Sequence, residues 1–112
     1  MKRIVLLLPA LALAAALPLR AAELSVEKNW EKHCIGCHGK DGRSQTRLGK
    51  KSGAKDLTDK AVQAKLSDDE IFKTIKLGRK NAKGEEKMES FAGQISDAEI
   101  NALVAYVRTF AK

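Results

Sequence analysis

Residues 33–39 read HCIGCHG, and they hold both cysteines and both histidines of the 112-residue chain. Those types at that spacing suit three chemistries: a zinc site, a thiol redox pair or attachment of a haem. A structural zinc site takes four ligands, typically as two pairs divided by a longer loop. Cys34 and Cys37 make one pair, but His33 and His38 crowd the same turn and no second pair follows. A redox Cys-x-x-Cys sits in a strand-to-helix unit, and no stretch of this chain alternates like a strand for long enough. Cys-x-x-Cys-His is the attachment pattern of c-type haem. Two thiols three residues apart on a helical turn reach two vinyl groups as thioethers. His38 then follows directly and offers a neutral imidazole nitrogen to the iron. Haem c is therefore the expected cofactor, with Cys34 and Cys37 as covalent anchors and His38 as the first axial ligand. His33 is tethered to the same side of the ring as His38 and reads as a bystander.

The second axial ligand must come from far along the chain. Met1 and Met88 are the two methionines, and Met88 lies about fifty residues beyond His38. A lone methionine is commonly core filler. Beside a haem motif, in the segment before the last helix, it reads as the iron's sixth ligand.

These residues need elements to position them. Residues 1–22 differ from the rest: Lys2 and Arg3, an apolar run Ile4 to Leu17 broken by Pro9, then Pro18 and small residues up to Ala21-Ala22. That order reads as a secretory signal peptide, the run being short of the roughly 20 residues that span a membrane, with an uncleaved N-terminal anchor as the alternative. The expected division is a signal peptide over 1–22 and one domain over 23–112, located in the periplasm. Cleavage would remove Lys2, Arg3 and Arg20 and no acid, so the formal charge of +7 falls to +4. An exported chain normally spends cysteine on disulfides, but two cysteines three apart would staple almost nothing. A basic chain also raises nucleic acid as a partner, which export and a haem site make improbable.

After the signal the expected class is all-α. Ser25 caps a first helix to about Cys34, with Val26 and Trp30 on one face. Gly39 to Lys55 reads as a long, irregular, polar loop. Thr58 or Asp59 starts a short helix through Lys65, with Ala61, Val62 and Ala64 as its apolar residues. Ser67…Glu70 and Ser96…Glu99 are capping boxes. The first opens a helix with Ile71, Phe72 and Ile75 inward, ending before Gly78. The second opens the last helix, with Ile100, Leu103, Val104 and Val107 at i, i+3, i+4 and i+7. Gly78 to Lys87, GRKNAKGEEK, reads as an exposed loop.

With these elements placed, the chain resembles a bacterial class I c-type cytochrome. CIGCHG near the start, the solitary methionine, the final helix ISDAEINALVAYVRTF, Trp30 and Tyr106 carry the resemblance. It implies the cytochrome c fold: about four helices wrapped around one covalently attached haem, the N- and C-terminal helices crossing. Tyr106 would pack near the first helix. Two departures stand out. The family often has a proline just after the methionine ligand, where this chain reads Met88-Glu89-Ser90-Phe91. Many members also have a proline whose carbonyl accepts the proximal imidazole proton; here the acceptor is sought around Gly53 to Lys55.

His38 and Met88 together would close the iron's coordination and raise its potential. The implied function is a soluble, monomeric one-electron carrier, not an enzyme, in transient contact with membrane respiratory complexes. Lys40, Arg43, Arg47, Lys50 and Lys51, then Arg79, Lys80, Lys83 and Lys87, would rim the haem edge and steer redox partners with acidic docking surfaces. The alternatives are a haem protein with a labile sixth ligand, peroxidase-like or gas-binding, and a haem subunit of a larger redox complex.

Overall fold

A computed structural model of the chain describes residues 25–112. The signal-peptide reading of 1–22 lies outside those residues. Residues 25–29 are α-helical (α1) and run without a break into a π-helical turn, Trp30–Cys34, and then α2, Ile35–His38. The elements that follow are α3 (Arg47–Ser52), α4 (Lys60–Ala64), α5 (Asp68–Leu77), β1 (Arg79–Lys80), β2 (Glu86–Met88) and α6 (Asp97–Arg108). The fold is the all-α cytochrome c fold, with one small hairpin added. Among the described residues no helix is long and apolar enough to cross a membrane.

The two capping boxes form as the sequence requires. Ser67 and Ser96 each accept from the backbone N–H three residues on, and Glu70 and Glu99 each accept from the N–H of the capping serine. Each box satisfies two backbone donors that helix geometry would otherwise leave open. The apolar stripe of α6 is buried in full: Ile100, Leu103, Val104 and Val107. Ile71 and Ile75 of α5 meet it in one core with Trp30, Phe91 and Ile95. Fully burying an aliphatic side chain such as Ile100 or Leu103 stabilises by about 1.5–3 kcal/mol.

The first helical stretch packs on α6 as the resemblance implies. The Trp30 ring lies 5.4 Å from Tyr106 and 4.9 Å from Phe110. Asn29 donates to the Glu99 carboxylate at 2.6 Å. That hydrogen bond, more than the capping contacts, holds the Glu99 carboxyl below its ordinary range. The contact therefore stabilises above the ordinary carboxylate pKa and is lost as pH falls through the lowered one.

Three expectations change. The stretch Gly39 to Lys55 is not wholly irregular, because α3 forms inside it. Thr46 caps its start and Gly53, left-handed at φ 70°, closes its end. The hydrophobic pattern could not announce this helix, since its one large apolar residue, Leu48, is 55% exposed. The loop Gly78 to Lys87 contains a hairpin, Arg79 pairing with Met88 and Lys80 with Glu86 across a register shift. In α4 the buried residue is Gln63, while Ala61 and Ala64 face solvent. Gln63 can afford burial because its amide is fully used. Nε2 donates to the carbonyls of Leu57 and Val107, and Oε1 accepts from Arg108, each at 2.8 Å. Arg108 also donates to the carbonyls of Gln63 and Leu66 and to Asp68. This network ties α4 to the end of α6 with no unpaired polar atom of Gln63 left inside.

Candidate functional site

The motif HCIGCHG sits where the π turn passes into α2. A π turn is rare and commonly marks a functional site. Here it closes with the Ile35 N–H donating to the Trp30 carbonyl, and it buries Trp30 and Cys34. The chain after the motif folds back to hold it. Thr46 Oγ1 donates to the Cys37 carbonyl at 2.9 Å, and the Ser44 N–H donates to the His38 carbonyl at 2.9 Å. Trp30 Nε1 donates to the Gly39 carbonyl at 3.1 Å. Helix α3 packs against α2 through Gly49, which is buried.

Beside the motif lies a cavity of about 510 Å³. Cys34, Cys37 and His38 all line it, and so does Met88 from β2. The core residues Leu57, Ile75, Phe91 and Leu103 make it apolar, and Ser52, Lys55, Arg79 and Lys87 add polar groups. This size and lining are those of a small-molecule or cofactor site. No disulfide joins Cys34 to Cys37, which leaves both sulfurs available for thioether bonds. Burial, and secondarily Cys37, pushes the Cys34 thiol up to about 12. Burial, and secondarily the Arg79 charge, pushes the His38 imidazole below its ordinary value. A neutral imidazole is the form that binds a metal.

The donor set therefore fits a covalently held haem. Two thiols stand at attachment spacing, and an uncharged imidazole and a thioether line the same largely apolar cavity. The residues that could hold the group are Cys34 and Cys37 by covalent bonds and His38 and Met88 at the iron. Among the described residues no cluster of three or more His, Cys, Asp and Glu offers a rival metal site.

Other features of the site were not visible in the motif. No carbonyl near Gly53 to Lys55 takes the His38 proton. His38 Nδ1 is buried without a hydrogen-bond partner among the described residues. The Lys55 carbonyl accepts instead from Ser44 Oγ at 2.6 Å. The His38 ring is held by packing, 5.7 Å from Trp30. His33 also lines the cavity, edge-on to Phe91 at 5.1 Å. Arg79 reaches the cavity, and its Nη2 donates to the Ser52 carbonyl at 3.3 Å. That bond brings the two basic segments of the sequence side by side. The sequence marked Arg79 only as one cation of a basic run, without singling it out for the cavity.

Comparison with known proteins follows the same line. Residues 21–107 match the family described as cytochrome c oxidase, cbb3-type, subunit III. Among solved structures, the KustC0563 c-type cytochrome is similar at 39% identity and a TM-score of 0.68. The match covers 76% of this chain and 95% of that one. A tyrosine-to-phenylalanine mutant of Kustc0563 is similar at 37% identity and a TM-score of 0.68, covering 77% of this chain and 98% of that one. No curated protein matches.

Proposed function

The chain belongs to the cbb3-type cytochrome c oxidase subunit III family and is a small class I c-type cytochrome carrying covalently bound haem c; from that premise we propose that it shuttles single electrons through a haem held by Cys34, Cys37, His38 and Met88. The haem, when bound, supplies an iron that changes by one electron between Fe(II) and Fe(III). The protein residues do the rest. In this reading Cys34 and Cys37 fix the group to α2 and its preceding π turn. His38 and Met88 would both bind the iron, leave it no position for substrate and raise its potential. The apolar residues around the cavity keep water away.

One observation carries the reading: residues about fifty positions apart in the chain, the motif and Met88, line one apolar cavity. The test is the absorption spectrum of the oxidised holoprotein. A weak far-red methionine-to-iron band is expected, and carbon monoxide should bind the reduced form slowly. A missing band with ready carbon monoxide binding would instead favour the labile-ligand reading, peroxidase-like or gas-binding.

The partner reading rests on charge. Lys50 and Lys51 lie in the last turn of α3, and the Arg79–Ser52 bond sets them beside Arg79 and Lys80. Not every cation is free to act: Arg43 pairs with Asp41 at 3.8 Å and Lys87 with Glu85 at 3.5 Å. The rest suit weak docking of an acidic redox protein by a periplasmic monomer. Small redox probes test the sign. Oxidation by ferricyanide should slow as salt is added, and oxidation by a cationic cobalt(III) phenanthroline complex should speed up. Joint reversal of Lys51 and Lys80 to Glu should lower the low-salt ferricyanide rate by roughly tenfold. Equal salt dependence with both probes would sink the basic-rim idea.

A second reading, a haem subunit of a larger redox complex, draws on the description of the matched family. Purification of the chain from its native membranes with other subunits would favour it. Recovery as a free monomer from the periplasmic fraction would favour the shuttle.

A further inference from the structure

An α-helix leaves its last carbonyls without partners of its own. In α5, two of them are taken by the segment that follows Met88. The Phe91 N–H donates to the Ile75 carbonyl at 3.2 Å, and the Ala92 N–H donates to the Lys76 carbonyl at 3.1 Å. Ser90 Oγ donates to that same Lys76 carbonyl at 2.6 Å. Gly78 then ends the helix with φ at 75°, a conformation that favours glycine. Its missing side chain lets the two backbones touch. A Cβ at Gly78 would lie 2.5 Å from the Met88 carbonyl oxygen and 2.9 Å from the Ser90 nitrogen. Beyond the turn, Arg79 pairs with Met88 across the hairpin.

We infer that the C-terminal end of α5 is a clamp for Met88, with Gly78 and Ser90 as its positioning residues. A methionine side chain is unbranched and flexible, so its sulfur keeps one place only if its backbone is fixed. The chain has no proline after Pro18 to stiffen that backbone. The clamp does so from both sides: β1 pairs with Met88 itself, and the spare carbonyls of α5 hold the next turn. Ser90 is exposed at the surface, so it contributes no core packing that would make it structural for another reason. This inference rests on Met88 being an iron ligand.

The test uses the holoprotein and three variants. Ser90→Ala removes one donor and keeps the backbone. Its far-red methionine-to-iron band should vanish at a lower temperature than global unfolding. Carbon monoxide binding to its reduced form should quicken by roughly five- to thirtyfold. The amides of Phe91 and Ala92 should exchange faster, while helix content and thioether attachment stay as in the parent. Ser90→Thr keeps the hydroxyl and should restore parental values. Gly78→Ala should act in the same direction and more strongly. A Ser90→Ala protein with the parent's band, carbon monoxide rate and exchange overturns the clamp alone. A parent protein with no methionine-to-iron band overturns the Met88 reading and the clamp with it.

Discussion

Replacing Met88 with Ala is expected to give a folded haem protein with an open sixth position. The far-red band should disappear, carbon monoxide should bind the reduced form readily, and the reduction potential should fall. A thioether ligand stabilises Fe(II) relative to Fe(III), so its loss favours the oxidised state. The fall should be on the order of 0.1 V, a fraction of the roughly 0.8 V range that axial ligands command. The fold should persist, because the core residues Ile100, Leu103 and Phe91 stay in place. Met88→His should again close the site without the methionine band. A Met88→Ala protein that keeps its band, potential and resistance to carbon monoxide would show that Met88 is core filler and that another residue holds the iron.

Gly49→Ala should be among the most destabilising exchanges for so small a change in volume. In an ordinary helix interior, alanine in place of glycine gains about 1 kcal/mol. Here the added Cβ would overlap the Cys37 carbonyl oxygen and come within 2.7 Å of the Ser44 carbonyl oxygen. Backbone atoms cannot turn aside as a side chain would. Relief would require α3 to move off α2, disturbing the Thr46 bond to the Cys37 carbonyl and the Ser44 bond to the His38 carbonyl. Overpacking of this kind costs about 1–3 kcal/mol, and the backbone partners place it at the upper end. Net of the helix gain, we expect a loss of about 2 kcal/mol and a melting temperature lower by roughly 8–16 °C. Thermal and denaturant unfolding of the holoprotein would measure it. An unchanged or higher melting point would mean that α3 is free to shift, and that it does not hold the motif.

The sequence alone determined the features whose causes are local. The motif HCIGCHG named the chemistry because attachment needs only residue types at fixed spacing. The boxes at Ser67 and Ser96 formed as expected because each side chain reaches a backbone group three residues away. The stripe Ile100, Leu103, Val104 and Val107 was buried as read because helical period alone puts those residues on one face. The tertiary structure decided what depends on distant partners. Helix α3 carries no apolar stripe and owes its place to Gly49 against the α2 backbone. Gln63 is inside because Val107 and Arg108, more than forty residues away, satisfy its amide. Arg79 reaches the cavity, and the Met88 segment is held in it, because the spare carbonyls of α5 and the turn at Gly78 join stretches that no local pattern connects. Spacing along the chain sets which groups can react, but a hydrogen bond or a close backbone contact between remote segments exists only after the chain has folded.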